Sequence, residues 1–372
     1  VTNVLFVFGT RPEAIKLAPV ILHLRQAGAI VEPRVCVTAQ HRGLLDQVLQ
    51  TFGIEPHHDL NVMTPGQSLA QTTSRVVAAL DGVIVAEQPG LILVQGDTTT
   101  TFCGALAGFY RRVPVAHIEA GLRTGDLAEP FPEELNRVLT TRLAALHFPP
   151  TEGARENLLG EGVPAGRITV TGNTGIDAVL WVAGELAAGR LEAPAWPWTG
   201  QGRRLILVTA HRRESFGAGM QDVCEGLRRV AARGDVDLVF PVHPNPNVRG
   251  PVENLLGGIE NIHLIHPQSY VPFVDLMRRS YLLLTDSGGV QEEGPSLGKP
   301  VLVMRNKTER MEGVTAGAVR LVGTEPERIT ASVSELLDNP NTYERMAAVH
   351  NVYGDGRASA RIGDVIRSFL GK

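Results

Sequence analysis

Leu282-Leu283-Leu284-Thr285-Asp286-Ser287-Gly288-Gly289-Val290-Gln291-Glu292-Glu293 reads as a short apolar strand that breaks into Ser-Gly-Gly at the start of a helix. A run with no polar alternation is buried on both faces, as strands of a helix-covered parallel sheet are. The two glycines leave the first backbone N–H groups of the helix bare, so a diphosphate can approach them closely. Glu293, about a turn inside the helix, can accept hydrogen bonds from both hydroxyls of a ribose. A lone Gly-Gly would say little. Strand, Ser-Gly-Gly and glutamate together point to a nucleotide diphosphate. Lys307 and Arg310 either add positive charge near the phosphates or lie on solvated surface.

The same alternation extends outward from this stretch. In the second half, strands are predicted at 205–209, 238–242, 263–265, 282–284 and 301–303, with helices between them. In the first half, strands are predicted at 4–8, 34–38, 91–94, 115–118 and 146–148. Amphipathic stretches separate them near 13–27, 43–52, 68–87, 99–111 and 134–144. Strand–helix repetition of this kind implies right-handed crossovers and a parallel sheet. A helix near 174–189 leads into 191–202, rich in Pro, Trp and Gly, which reads as a loop near the domain boundary. The chain has 372 residues, too many for one ordinary core. The expected fold is therefore α/β, with two Rossmann-like domains facing a cleft. One spans 1–170 plus a returning helix within 355–372, and the other spans 171–354. A ligand would lie at the carboxyl ends of both sheets.

Composition narrows the function. The net charge of -4 argues against a nucleic-acid binder that works by overall charge. Cys36, Cys103 and Cys224 are far apart in apolar stretches and show neither zinc spacing nor a disulfide framework, so they read as buried thiols in a reducing compartment. The first apolar run, 4–8, is too short for a signal peptide, and no stretch approaches the ~20 apolar residues of a membrane span. The expected location is the cytoplasm, with no membrane partner.

Polar residues gather where the predicted strands end. Phe8-Gly9-Thr10-Arg11-Pro12-Glu13 is a strand–turn–helix that offers N–H groups and Arg11 to an anion, with Lys16 one turn further on. A plain βα loop with solvated charges is the bland alternative. Asp97 follows an apolar strand and stands either at a ligand site or as the N-cap of the next helix. Glu119 also falls just past a strand and precedes the long glycine-rich loop 121–132. Glu133, in the first turn of the helix after that loop, either complements the helix dipole or joins the site. In this topology Asp97, Glu119 and Glu133 would converge on one cleft. Clustered carboxylates raise one another's pKa, which suits an acid and a base near neutral pH. His211 and His243 stand at strand ends of the second half, where His211 steadies a phosphate, works as an acid or is merely structural.

These residues, taken together, resemble the non-hydrolysing UDP-N-acetylglucosamine 2-epimerases. The resemblance runs almost end to end, through GTRPEAIKLAP, TAQHRGLLDQVL, GDTTTT, EAGLRTGD, PEELNR, TGNTGID, HRRESFG, PVHPNPNVR, LTDSGGVQEEGPSLGKPVLVMR and YGDG. It implies a GT-B-like fold and reversible C2 epimerisation of UDP-N-acetylglucosamine to UDP-N-acetylmannosamine, by loss and return of UDP through a 2-acetamidoglucal. No cofactor or metal is implied. By resemblance Asp97, Glu119 and Glu133 are the acid–base carboxylates, with Arg137 and His211 orienting them or the phosphates. Arg11, Lys16, Phe273, Ser287, Gly288, Gly289, Glu293 and Arg310 would hold UDP, Phe273 near the uracil. Gln40, His41, Gln47, Gln67, Arg212 and His243 match polar positions of a second site, where the substrate also acts as activator. A homodimer and a place in cell-envelope polysaccharide synthesis come by the same route. The chain departs from common members at Gly66, Gln95 and Phe131. The competing readings are a GT-B glycosyltransferase, a hydrolysing epimerase and a catalytically silent UDP-sugar sensor.

Overall fold

The apolar runs become the strands of two six-stranded sheets in the computed structural model of the chain, which describes residues 1–28, 30–38, 42–64, 66–198 and 202–371. The residues divide into two compact units, Val1–Ala178 with Gly356–Lys372, and Val179–Asp355. Each is a Rossmann-like α/β layer structure with an all-parallel sheet.

The first unit runs β1 Thr2–Phe8, α1 Arg11–Ala27, β2 Val31–Val37, α2 Arg42–Thr51, β3 His58–Asp59, α3 Leu69–Glu87, β4 Leu91–Gln95 and α4 Thr99–Tyr110. It continues through β5 Val115–Ile118, α5 Glu133–Leu143, β6 Leu146–Phe148, α6 Glu152–Gly160 and the start of α7, Thr174–Ala187. Its strand order is β3-β2-β1-β4-β5-β6. The order reverses between β1 and β4, so the loops after these two strands diverge and leave a crevice at their carboxyl ends. The central strands justify the reading of buried apolar runs, since Leu91, Ile92, Leu93 and Val94 are each 0 % exposed. α3 is long and apolar enough in composition to cross a membrane, yet its Val76, Leu80, Val83 and Ile84 join the core formed by Leu5, Val7, Ile92 and Val94.

The second unit runs β7 Arg204–Thr209, α8 Ala218–Ala231, β8 Val236–Pro241, α9 Pro246–Leu256, β9 Ile262–Ile265, α10 Tyr270–Arg279, β10 Leu282–Thr285 and α11 Gly288–Ser296. β11 Val301–Val303, α12 Met311–Ala316, β12 Val319–Leu321, α13 Pro326–Asp338 and α14 Pro340–Ala347 complete it. The order β12-β11-β10-β7-β8-β9 puts the reversal between β7 and β10. The Pro- and Trp-rich stretch before β7 is a loop, but a docked one. Trp196 stacks on Trp198, Trp198 stacks on His263, and the Trp196 indole N–H donates to Asp275 at 2.9 Å.

Six elements exceed the sequence reading. β3 and β12 are edge strands of two and three residues, too short to carry a period, and the helices α6, α12, α13 and α14 have no counterpart among the predicted ones. The last helix, α15 Ala358–Leu370, belongs to the first unit and packs on α1, where a Cβ on Gly363 would lie 2.7 Å from the His23 ring. Its first N–H groups, on Ala358 and Ser359, donate to the buried Asp177 carboxylate in α7 at 3.2 and 2.7 Å. All three cysteines are free and buried, and burial pushes each thiol up to about 12.

Candidate active site

In the first unit the loops after β1, β4 and β5 meet the start of α5. Gly9 is required by contact rather than by its torsion angles, because a Cβ there would fall 2.1 Å from the Thr38 hydroxyl. The turn hands the chain to α1 through a capping box, with Thr10 as N-cap and Glu13 answering its N–H at 2.8 Å. Arg11 and Lys16 are thereby set at the carboxyl end of the sheet. After β4, the N-cap of α4 is Thr98 and not Asp97, so the capping alternative for Asp97 does not hold. The Asp97 side chain is left to meet Arg137 of α5, whose guanidinium donates to Oδ2. Asn136 donates to the Asp97 carbonyl at 2.9 Å, and His117 donates through Nε2 to the Gly96 carbonyl at 2.7 Å.

Glu119 stands directly past β5 with φ 63°, in the left-handed region. A non-glycine residue there costs of order 1–3 kcal/mol and persists only where its surroundings hold it. Here Lys16 and Gln95 do so. Lys16 donates its ammonium to Oε2, and the Gln95 amide donates to the same oxygen at 2.8 Å. Glu133 begins α5 and makes no side-chain hydrogen bond or ion pair among the described residues. The other two carboxylates, Glu119 and Glu133, both act on Asp97. Burial raises its pKa most, Arg137 lowers it, Glu119 raises it, Lys16 lowers it and Glu133 raises it. The sequence argument credited carboxylate clustering, whereas desolvation is the larger cause.

The second unit assembles its polar residues around β7 and β10, at its own reversal point. Asp286 is 1 % exposed. Its Oδ2 accepts the backbone N–H of His211 at 2.6 Å and of Arg212 at 2.7 Å, while Oδ1 lies 3.2 Å from His211 Nδ1. The pair fixes which ring nitrogen of His211 points away from the carboxylate. His243 stacks on that ring with centroids 5.6 Å apart. Burial lowers the His211 pKa most, Asp286 raises it, and His243 and Arg212 lower it.

Ser287 caps α11 without a side-chain bond of its own. A Cβ on Gly288 would meet the Arg310 guanidinium carbon at 2.5 Å, so the cation lies directly on the helix start. Gly289 leaves open space, and Arg310 pairs with Glu292 at 2.6 Å. Tyr353, in the YGDG segment, donates to the Arg310 carbonyl and accepts from Gly313 N–H, both at 3.0 Å, which pins the start of α12. Glu293 is half-buried in α11 and Phe273 half-buried in α10. Of the residues matched to a second substrate site, Gln40 and His41 lie outside the described residues. Gln47 is exposed on α2, and Gln67 donates to the Val62 carbonyl at 3.1 Å. Arg212 and His243 belong to the second unit beside His211.

Sequence reasoning gave no role to Gln95, Glu134 or Asp286. The one local signal for Asp286 was an acid at the end of a fully apolar strand. Among the described residues no group of three or more His, Cys, Asp or Glu side chains is arranged to hold a metal ion.

Known proteins resemble this chain over nearly its whole length. The family model described as UDP-N-acetylglucosamine 2-epimerase matches residues 24–367. The UDP-N-acetylglucosamine 2-epimerase of Salmonella typhimurium is 54 % identical over 372 residues, 99 % of each chain. The crystal structure of UDP-GlcNAc 2-epimerase from Neisseria meningitidis bound to UDP-GlcNAc superposes with a TM-score of 0.87 at 48 % identity, covering 98 % of this chain and 100 % of that one. A putative UDP-N-acetylglucosamine 2-epimerase from Listeria monocytogenes gives 0.93 at 47 % identity, over 100 % and 97 %. With two reversal-point sites of this composition and such likeness over its whole length, the chain belongs to the UDP-N-acetylglucosamine 2-epimerase family.

Proposed function

We propose that the chain interconverts UDP-N-acetylglucosamine and UDP-N-acetylmannosamine by reversible inversion at C2. The observation that carries this reading is the carboxylate set of the first unit, with Asp97 against Arg137 and Glu119 against Lys16 and Gln95. One carboxylate takes the C2 proton, the C–H electron pair becomes the C1=C2 bond, and the C1–O bond breaks with its pair leaving on the β-phosphate oxygen of UDP. In the return step that oxygen adds to C1 and a second carboxylic acid delivers a proton to the opposite face of C2. The C2 hydrogen is a weak acid, so the barrier falls only where the departing diphosphate is stabilised. Arg11, Lys16, Arg310, the Ser287 hydroxyl and the N–H groups of Gly288 and Gly289 at the start of α11 suit that task, while the Ser287 N–H is taken by the Thr285 hydroxyl at 2.9 Å. Glu293 suits the ribose and Phe273 the base. Arg137 orients Asp97, and Asp286 orients His211 toward the phosphates. A glycosyltransferase makes no use of three carboxylates around C2, and a sensor has no need of them.

The same reading makes the chain a cytoplasmic homodimer whose substrate also acts as activator through Gln47, Gln67, Arg212 and His243, together with Gln40 and His41. Three buried reduced thiols fit a reducing compartment. Phe109 and Tyr110, 59 % and 66 % exposed, rim a hollow with Leu143 and Pro114 that a second copy would cover. The product suits cell-envelope polysaccharide synthesis.

The test is proton NMR of UDP-N-acetylglucosamine incubated with the protein in deuterated water. The expected product is a UDP-linked manno sugar carrying deuterium at C2. Free N-acetylmannosamine with stoichiometric UDP would replace the reading by a hydrolysing one, and an unchanged spectrum despite binding would refute it.

A further inference from the structure

Glu134 adjoins the carboxylate set without facing the same way as Glu133, its neighbour in α5. Its side chain is 1 % exposed. One oxygen, Oε1, accepts the backbone N–H of Thr124 at 3.0 Å and of Gly125 at 3.2 Å. Both donors belong to the long loop between β5 and α5, which is also folded on itself where the Thr124 hydroxyl donates to the Glu129 carbonyl at 2.6 Å. The other oxygen, Oε2, lies 3.4 Å from Nη1 of Arg137. Nη2 of that same guanidinium donates to Asp97. A single cation is therefore shared between two carboxylates, and one of them also holds the loop.

We infer that Glu134 is a positioning residue that couples the seating of the 121–132 loop to the charge carried by Asp97. The inference rests on Asp97 serving as an acid–base group. With Thr124 and Gly125 bound, two backbone donors neutralise part of the Glu134 charge, and Arg137 is left to stabilise ionised Asp97. With the loop lifted, Glu134 loses those donors and draws Arg137 more strongly, so Asp97 takes up a proton more readily. The other charged groups around Asp97 are Lys16 from α1, Glu119 past β5 and Glu133 from α5. Arg123, in the same loop, is occupied by Glu161 at 2.5 Å and by Thr141 at 2.8 Å. The neutral His117 ring stands behind Gly96. None of these contacts both the loop backbone and Arg137 as Glu134 does.

The experiment titrates full-length protein labelled with carboxyl-13C aspartate, taking as the Asp97 signal the resonance missing from Asp97→Asn. Glu134→Gln keeps an oxygen for Thr124 and Gly125 but no charge. Its Asp97 midpoint is expected to fall by roughly one pH unit, the size of one nearby charge in a partly buried site. Thr124→Pro, which lacks the N–H, is expected to move the midpoint the opposite way. Both variants lose turnover at least tenfold while UDP affinity is kept. An unmoved midpoint in Glu134→Gln, or an unmoved or lowered one in Thr124→Pro, overturns the coupling. Thr124→Pro alone decides the matter if Glu134→Gln does not fold. Full turnover by Asp97→Asn would instead remove Asp97 from the chemistry, and the two failures are told apart because the titration does not depend on activity.

Discussion

His117 and His147 sit side by side on β5 and β6, 0 % and 1 % exposed, and each has a buried Nδ1 with no hydrogen-bond partner among the described residues. A second proton would put a positive charge in that buried space, where Arg123 and Arg137 already oppose it at His117 and Arg167 and Arg123 at His147. Burial accordingly lowers the pKa values from 6.5 to about 3 for His117 and to about 4 for His147. Well above pH 6.5 folded and unfolded chains both hold neutral rings, and the pair leaves stability unchanged. Below pH 6.5 the unfolded chain gains protons that the folded chain refuses, so stability falls with pH until the folded pKa values are reached. Between pH 6.5 and 4.5 the loss is about 2 kcal/mol for each histidine and about 4 kcal/mol for the two. Urea unfolding followed by far-UV circular dichroism at pH 6.5, 5.5 and 4.5 measures it. His147→Gln, which cannot titrate, should recover about half of the decline. An equal decline in parent and variant would refute the reasoning.

Asp97→Asn and Glu119→Gln should each cut turnover by about 10²-fold or more, as loss of an acid–base group does, with UDP affinity by calorimetry nearly unchanged. A clear loss of UDP binding would mean these side chains hold the nucleotide. Glu293→Ala should weaken UDP binding by roughly tenfold or more, the size of a charged hydrogen bond, and unchanged affinity would remove its ribose role. Asp286→Asn withdraws the negative charge that favours protonated His211, so the imidazole pKa by NMR should move further down while kcat falls by about 10–100-fold. An imidazole that titrates as before would break the link between the two.

The sheets were legible because their central strands are unbroken apolar runs, and the end of such a run marks where a ligand site lies. That logic reaches Asp97, Glu119 and Ser287 directly. It does not reach β3 or β12, whose two and three residues pair at an edge and carry no period. Nor does it separate Glu133 from Glu134. They are adjacent in sequence, but the turn of α5 buries one and leaves the other part-exposed. The cations assigned to Asp97 and Glu119 come from α5 and α1, 40 and 103 residues away, so those pairings exist only once the layers are packed. His117 and His147 were hidden by the apolar strands around them.

The anchoring of α15 by Asp177 bears on the order in which the molecule is made. Residues 179–355 form the second unit without interruption, whereas the first needs a segment from each side of it. During synthesis the early α1 surface that receives α15 must wait, with its apolar side chains uncovered, until everything between has left the ribosome. The unit that begins first is thus the one that finishes last, and Asp177 is the latch on its final piece.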